Sequence, residues 1–197
     1  MISDIKFSPI FSSFLGTGDL GVNNSEIYDW ICSQSADKQG QIRLTLDEPE
    51  LDCMYDNLRK IFNNIHENIG LQSKYHQVLQ RGWVNTNDDI RFNVAHCHPH
   101  STFVSVYYPY VEGNVGELEL INPNSVCQWV IRSELAEENT YVNPHKFNHY
   151  NSSRWRIVPR TGLVVFFPSW VQHHALPTTE GTRISIAMNS IIEPKEV

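Results

Sequence analysis

Leu163-Val164-Val165-Phe166-Phe167-Pro168-Ser169-Trp170-Val171-Gln172-His173-His174 runs from an apolar strand, through a bend, to a pair of imidazoles. Ten residues beyond His173, Arg183-Ile184-Ser185-Ile186-Ala187-Met188-Asn189 alternates polar and apolar side chains, the period of a half-buried strand. Upstream, His96-Cys97-His98-Pro99-His100 places three histidines within five residues. In an extended chain, residues two apart point to the same side, so His96 and His98 can face one ligand. Pro99 then ends the strand. Neutral imidazole is the commonest protein ligand for a transition metal, so His96, His98 and His173 form a candidate metal set. His174 points the other way from His173 in an extended chain. Arg183 and Ser185 share a strand face, and a guanidinium beside a hydroxyl is a receptor for a carboxylate. Each feature also has a plainer reading. The histidines can be surface or hydrogen-bonded core residues, and Arg183 with Ser185 an outward polar stripe opposite Ile184 and Ile186.

Outward from this region the chain reads as one domain over residues 1–197. Its segment 1–81 is a helical support and 82–197 a β-rich core. Spacings of three and four through Leu51, Met54, Tyr55, Leu58, Ile61, Phe62, Ile65 and Ile69 predict a long amphipathic helix. Asp47 is its expected N-cap, Pro49 and Glu50 lie in its first turn, and Gly70 is its stop. A shorter helix starts at Asn24-Ser25-Glu26 and turns Ile27, Trp30 and Ile31 to one face. Strands are expected at Gly82–Asn85, Ile90–His96, Thr102–Tyr110, Gly116–Ile121, Val126–Arg132, Arg156–Val158, Leu163–Phe167, Val171–Leu176 and Thr182–Ile192. Many short strands after a helical start predict a mainly β jelly roll or barrel braced by helices. The polar stretch 133–154 reads as a long loop beside the site.

Of the 197 residues, 41% are hydrophobic and 19% charged, an ordinary globular composition. The net charge of -7 disfavours nucleic acid and anionic membranes as partners. No apolar run approaches the roughly 20 residues of a membrane span. The start, Met1-Ile2-Ser3-Asp4-Ile5-Lys6, lacks the basic and apolar segments of a secretory signal. Cys32, Cys53, Cys97 and Cys127 are scattered and form no CxxC pair, which suits free thiols in a cytoplasmic protein.

HCHPHSTFVSVYYP, FPSWVQHHALP and RISIAMN together resemble the iron(II)- and 2-oxoglutarate-dependent dioxygenases. More narrowly, they resemble a bacterial and viral subgroup with an HxHP…VYY…FPSW…H…RISI pattern, from about Gly82 to Asn189. The resemblance implies a double-stranded β-helix, a jelly roll of the cupin-like kind. It implies Fe(II) held by His96, His98 and His173, with 2-oxoglutarate as co-substrate and dioxygen as oxidant. Arg183 and Ser185 would grip the distal carboxylate of 2-oxoglutarate, with Tyr108 hydrogen-bonding it and Asn93 lining the pocket. The expected reaction hydroxylates a C–H bond of a small molecule or peptide, with release of succinate and carbon dioxide. The chain departs from the wider family in placing His98 where a carboxylate is usual, which leaves an Fe(II) site at charge +2 instead of +1. His100 in place of His98, or Glu117 or Glu119 from a neighbouring strand, remain open as ligands. A cupin-type three-histidine metalloprotein without 2-oxoglutarate is the alternative. A non-catalytic jelly roll used for binding is the third reading.

Overall fold

The computed structural model describes residues 13–37, 41–87, 94–123 and 154–195. Ten strands and two α-helices follow one another in these segments. The strands are β1 (Gly16–Asp19), β2 (Gln41–Leu44), β3 (Tyr75–Leu79), β4 (Gly82–Asn87), β5 (Phe103–Asn114), β6 (Leu118–Ile121), β7 (Arg154–Ile157), β8 (Leu163–Pro168), β9 (His173–Ala175) and β10 (Glu180–Pro194). The helices are α1 (Asn24–Ser33) and α2 (Asp52–Asn68). A seven-stranded antiparallel sheet has the order β1-β8-β5-β10-β4-β2, with β3 also paired to β10. A three-stranded sheet, β7-β6-β9, faces it. The molecule is therefore mainly β, with the two antiparallel sheets of a double-stranded β-helix.

Strand alternation sorts the side chains of the large sheet onto two surfaces. Phe103 and Tyr107 of β5, Val164 and Phe166 of β8, and Ile184, Ile186 and Met188 of β10 join a core that includes Ile27, Ile31, Met54, Leu58 and Phe62 of the helices. The Phe62 ring packs edge-on to Phe166 at 5.5 Å and parallel to Phe103 at 6.3 Å, which seats α2 on the sheet. Each such buried side chain contributes roughly 1.5–3 kcal/mol of transfer free energy. The intervening residues form a second core between the sheets. Val104, Val106 and Tyr108 of β5 and Leu163, Val165 and Phe167 of β8 meet Leu118 and Leu120 of β6 and Ile157 of β7 there. Arg183, Ser185, Ala187 and Asn189 have the parity of this inner surface.

The long amphipathic helix forms as expected, and Gly70 at φ 79° follows its end, a backbone conformation that suits glycine. Two details differ. Asp47 is not the cap. A 3-10 turn, Pro49–Leu51, precedes α2, and the carboxylate before it belongs to Glu48. Glu48 accepts hydrogen bonds from Thr45 N at 2.8 Å, Thr45 Oγ1 at 2.9 Å, Leu46 N at 3.0 Å and the Tyr55 hydroxyl at 2.6 Å. One acceptor thus closes the turn where Leu46 sits at φ 73° and ties it to the helix. Ile69, expected on the buried face, is 47% exposed because the helix has ended at Asn68.

The strand expected at Ile90–His96 is reduced, in its described part, to an isolated bridge between His96 and His173. The strand expected at Val126–Arg132, Asn93, and nearly all of the expected loop at 133–154 lie outside the described residues. Before residue 82 the chain supplies three strands as well as helices. β1 (Gly-Thr-Gly-Asp) pairs with β8 from Gly16↔Phe166 to Asp19↔Leu163, and β3 pairs with β10 from Ser190↔Leu79 to Pro194↔Tyr75. Their side chains give little alternation to read, since backbone ladders hold them.

Candidate metal centre

Backbone pairing brings the two histidine segments together. His96 N donates to His173 O at 3.1 Å and His173 N donates to His96 O at 2.9 Å, while His98 N donates to Ser169 O at 2.9 Å. The HxH segment is thereby fastened to β9 and to the Pro168-Ser169-Trp170 bend. One nitrogen from each of His96, His98 and His173 lies within 4.8 Å of the others, a set able to hold a metal ion. His98 Nε2 and His173 Nε2 are 3.3 Å apart. Two imidazoles bound at right angles to one ion, with metal–nitrogen distances of about 2.1 Å, would place their nitrogens about 3 Å apart.

The surroundings fix which nitrogen each ring presents. His96 Nδ1 lies 2.8 Å from Val94 O and His173 Nδ1 lies 3.0 Å from Val171 O. A carbonyl accepts only, so each Nδ1 carries the proton and each Nε2 keeps its lone pair. Trp83 of β4 stacks on His98 with centroids 5.6 Å apart and planes 8° from parallel, and Phe167 meets His173 edge-on at 4.7 Å. Burial, reinforced by the neighbouring His96, lowers the His98 pKa to about 4, against an opposing contribution from the Asn189 side chain. Burial lowers that of His173 to about 3, although its bond to Val171 opposes the shift. Both rings are therefore neutral near pH 7, the form that ligates.

The other candidate ligands stand elsewhere. His100 is exposed in a turn at φ 66°. Glu117 is within ion-pair reach of Arg156, at 3.7 Å. Glu119 is buried and fully engaged: its carboxylate accepts from Arg154 Nη1, from Arg156 Nε at 2.8 Å, and pairs with His174 Nε2 at 2.9 Å. Register explains the arrangement. Leu120 is opposite His173 and belongs to the inner core, whereas Glu119 is opposite His174 and Arg156, so this cluster occupies the other face of the small sheet. No carboxylate joins the three imidazoles among the described residues.

Glu119 instead ties β9, which carries His173, to β7. Burial alone would push its pKa up, but hydrogen bonds from His174, Arg156 and Arg154 hold it down, at about 2 against an ordinary 4.5. A depressed carboxylate pKa contributes stability that is complete above the unfolded value and is lost as pH falls toward the folded one. Glu119→Gln should therefore lower the melting temperature at pH 7, and the gap from the parent should narrow between about pH 4.5 and 2. Thermal melts across that range check this. A gap independent of pH would contradict the ionic role.

Arg183, Ser185 and Tyr108 lie on the inner face of the large sheet, not on an outer polar stripe. Arg183 is 1% exposed. Its Nη1 donates to Gly116 O and, at 3.1 Å, to Leu176 O. Gly116 is needed for this approach, since a Cβ there would stand 1.9 Å from Leu176 O. The guanidinium's Nη2 is buried and has no hydrogen-bond partner among the described residues. A buried donor without an acceptor is costly, by about 1–3 kcal/mol, and an acceptor brought by a ligand would relieve that cost. Tyr108 is buried beside it. Burial raises the phenol's pKa and the Arg183 charge works against that rise. Ser185 is also buried, in register with Asn85. An anionic oxygen acceptor, such as a carboxylate, suits this group of donors.

The sequence signals did not reach Trp83, the pairing of Glu119 with Arg154, Arg156 and His174, or the Val94, Val171, Gly116 and Leu176 carbonyls. Inward parity with Asn85 marks Trp83. The other contacts join residues remote in sequence or use backbone atoms that no side chain announces.

Taken together, the fold and site define a double-stranded β-helix with a three-imidazole cluster and a buried arginine inside it. The model of the family described as "Putative 2OG-Fe(II) oxygenase" matches residues 81–189, more than half of the chain. The chain belongs to that family, and it is an oxidoreductase whose cofactor is Fe(II) and whose co-substrate is 2-oxoglutarate. Among solved structures it is similar to the viral collagen prolyl hydroxylase of Paramecium Bursaria Chlorella virus-1, at 12% identity and TM-score 0.61, over 96% of this chain and 98% of that one. It is similar to a Pseudomonas putida prolyl-4-hydroxylase at 10% identity and TM-score 0.59, over 90% and 91%. A third similar structure is HygX from Streptomyces hygroscopicus with nickel and 2-oxoglutarate bound, at 12% identity and TM-score 0.57, over 93% and 84%. At these identities the likeness concerns the fold. No curated protein matches the sequence significantly.

Proposed function

We propose that the protein hydroxylates a C–H bond of an organic substrate, with His96, His98 and His173 holding Fe(II) and Arg183, Ser185 and Tyr108 receiving the distal carboxylate of 2-oxoglutarate. One observation carries the reading: Arg183 is buried, with Nη2 unpartnered among the described residues, on the same inner surface that the three imidazoles enter. A three-histidine metalloprotein without 2-oxoglutarate would have no use for that orphaned donor.

Iron with 2-oxoglutarate supplies a two-electron oxidation in which dioxygen is divided between a substrate hydroxyl and succinate, and carbon dioxide leaves. The chain's own residues position and exclude. The three imidazoles would hold the metal and leave it open to small ligands. Arg183, fixed by two carbonyls, orients the co-substrate along one direction. Val165, Phe167, Leu118 and Leu120 form an apolar surround that keeps water from the reacting groups. With three neutral ligands, binding of an anionic co-substrate is favoured more than in a site already carrying a carboxylate.

Neither described helix is long and apolar enough to cross a membrane. Cys32, Cys53 and Cys97 are free thiols, which supports a cytoplasmic location. Pairing of the early strands β1, β2 and β3 with strands of the core supports residues 1–197 working as one unit. Aerobic incubation with Fe(II) and 2-oxoglutarate, even without substrate, should give slow succinate formation that requires the metal. Iron-loaded protein that forms no succinate above the metal-free rate would count against the reading.

A further inference from the structure

The small sheet sets four residues in one row. His96 bridges His173, His173 is opposite Leu120, and Leu120 is opposite Trp155. Directly paired residues project to the same face of a sheet, and Leu120 projects into the inner core. Trp155 therefore shares the face that carries the imidazoles, two strand spacings from His173, about 10 Å between backbones. Inward tryptophans are normally covered, as is Ile157 on the same face of the same strand. Trp155 is 42% exposed.

Its mounting is rigid. Arg154 and Arg156, the residues on either side, both bind the buried Glu119 on the opposite face, and Glu119 also holds His174 of β9. The strand is thus clamped on its outer side, while the indole on its inner side stays partly exposed. An aromatic plane on a fixed strand beside a reactive centre is a positioning device for a substrate group. The charges narrow its occupant. The two flanking guanidiniums are paired with Glu119 on the opposite face, so the inner face offers the indole's apolar area, which suits an uncharged ring.

We propose that Trp155 is a substrate-positioning residue, whose indole takes an uncharged aromatic or apolar ring of the substrate beside the metal centre. The inference rests on the three histidines holding the metal.

The test uses the full chain loaded with Co(II), whose visible absorption reports occupancy and whose paramagnetism marks nearby protons. The probe is N-acetyl-L-phenylalanine amide with 2-oxoglutarate present, against Zn(II)-loaded protein as the diamagnetic control. Ring protons of the probe should relax several-fold faster with Co(II) than with Zn(II) in the parent and in Trp155→Phe. The enhancement should fall to the control level in Trp155→Leu, which keeps its cobalt spectrum. Equal enhancement in Trp155→Leu, or none in a cobalt-loaded parent, overturns the proposal. A parent without the cobalt spectrum overturns the metal assignment first, and this inference with it.

Discussion

His173→Ala should abolish tight binding of Fe(II), lowering affinity by well over 100-fold. Outer-shell partners of a metal ligand are typically worth 10–100-fold, and His173 is proposed as an inner ligand, so its loss should exceed that range. Its Nε2 lies 3.3 Å from His98 Nε2, and its Nδ1 is committed to Val171 O, so no other atom of the residue can substitute. Among the described residues nothing nearby replaces the ring. Leu120 is its cross-strand neighbour on the inner face, and Glu119 is turned away into the arginine cluster. His174→Ala and His100→Ala are the matched controls. The first alters the Glu119 pair and the second an exposed turn, and both should leave iron affinity within a few-fold. Anaerobic calorimetry or competition with a chromophoric chelator measures all three. Unchanged affinity in the His173 variant would remove the ligand assignment.

Arg183→Met should retain the metal and weaken 2-oxoglutarate by about 100-fold or more, since a charge-assisted hydrogen bond contributes about 1.5–3 kcal/mol and the guanidinium can form two. The variant carries a second cost. Arg183 Nη1 is the donor to Gly116 O and Leu176 O, and both carbonyls lose that partner in a buried setting. A stability loss of about 1–3 kcal/mol should follow, visible in denaturant melts without 2-oxoglutarate. Arg183→Lys separates the roles. It keeps a charge but presents its donors from one atom, without the planar fork that meets the carbonyls through Nη1 and leaves Nη2 for a carboxylate. Its co-substrate affinity should fall between parent and Met variant. Full affinity in the Met variant would refute the carboxylate receptor even if stability fell.

Much of this site was legible because a strand has period two. Parity alone put His96 with His98, set His173 against His174, and joined Arg183 to Ser185. It could not say which surface was inside. That is decided by Tyr107, Ile184 and Ile186 covering the helix side while Tyr108 and Arg183 turn toward the small sheet. The open question of His98 against Glu119 needed the β6 register, because a one-residue slip would exchange Glu119 with Leu120. Trp155 falls between the polar stretch 133–154 and the strand expected from Arg156, so strand parity does not place it. The strand begins at Arg154, held by a glutamate 35 residues earlier in the sequence, and the two extra residues bring the indole onto the row of His173. Glu48 was missed in favour of Asp47 because both are acidic residues before a Pro-Glu pair, and only the path of the turn distinguishes them.

The central claim, that one interior holds iron and 2-oxoglutarate together, is tested most directly by anaerobic titration of Fe(II)-loaded protein with 2-oxoglutarate. A keto acid chelating ferrous iron produces a weak visible charge-transfer band. The account predicts a saturable band at one equivalent, absent in His173→Ala and shifted to much higher 2-oxoglutarate in Arg183→Met. Iron bound with no band at any concentration would contradict it.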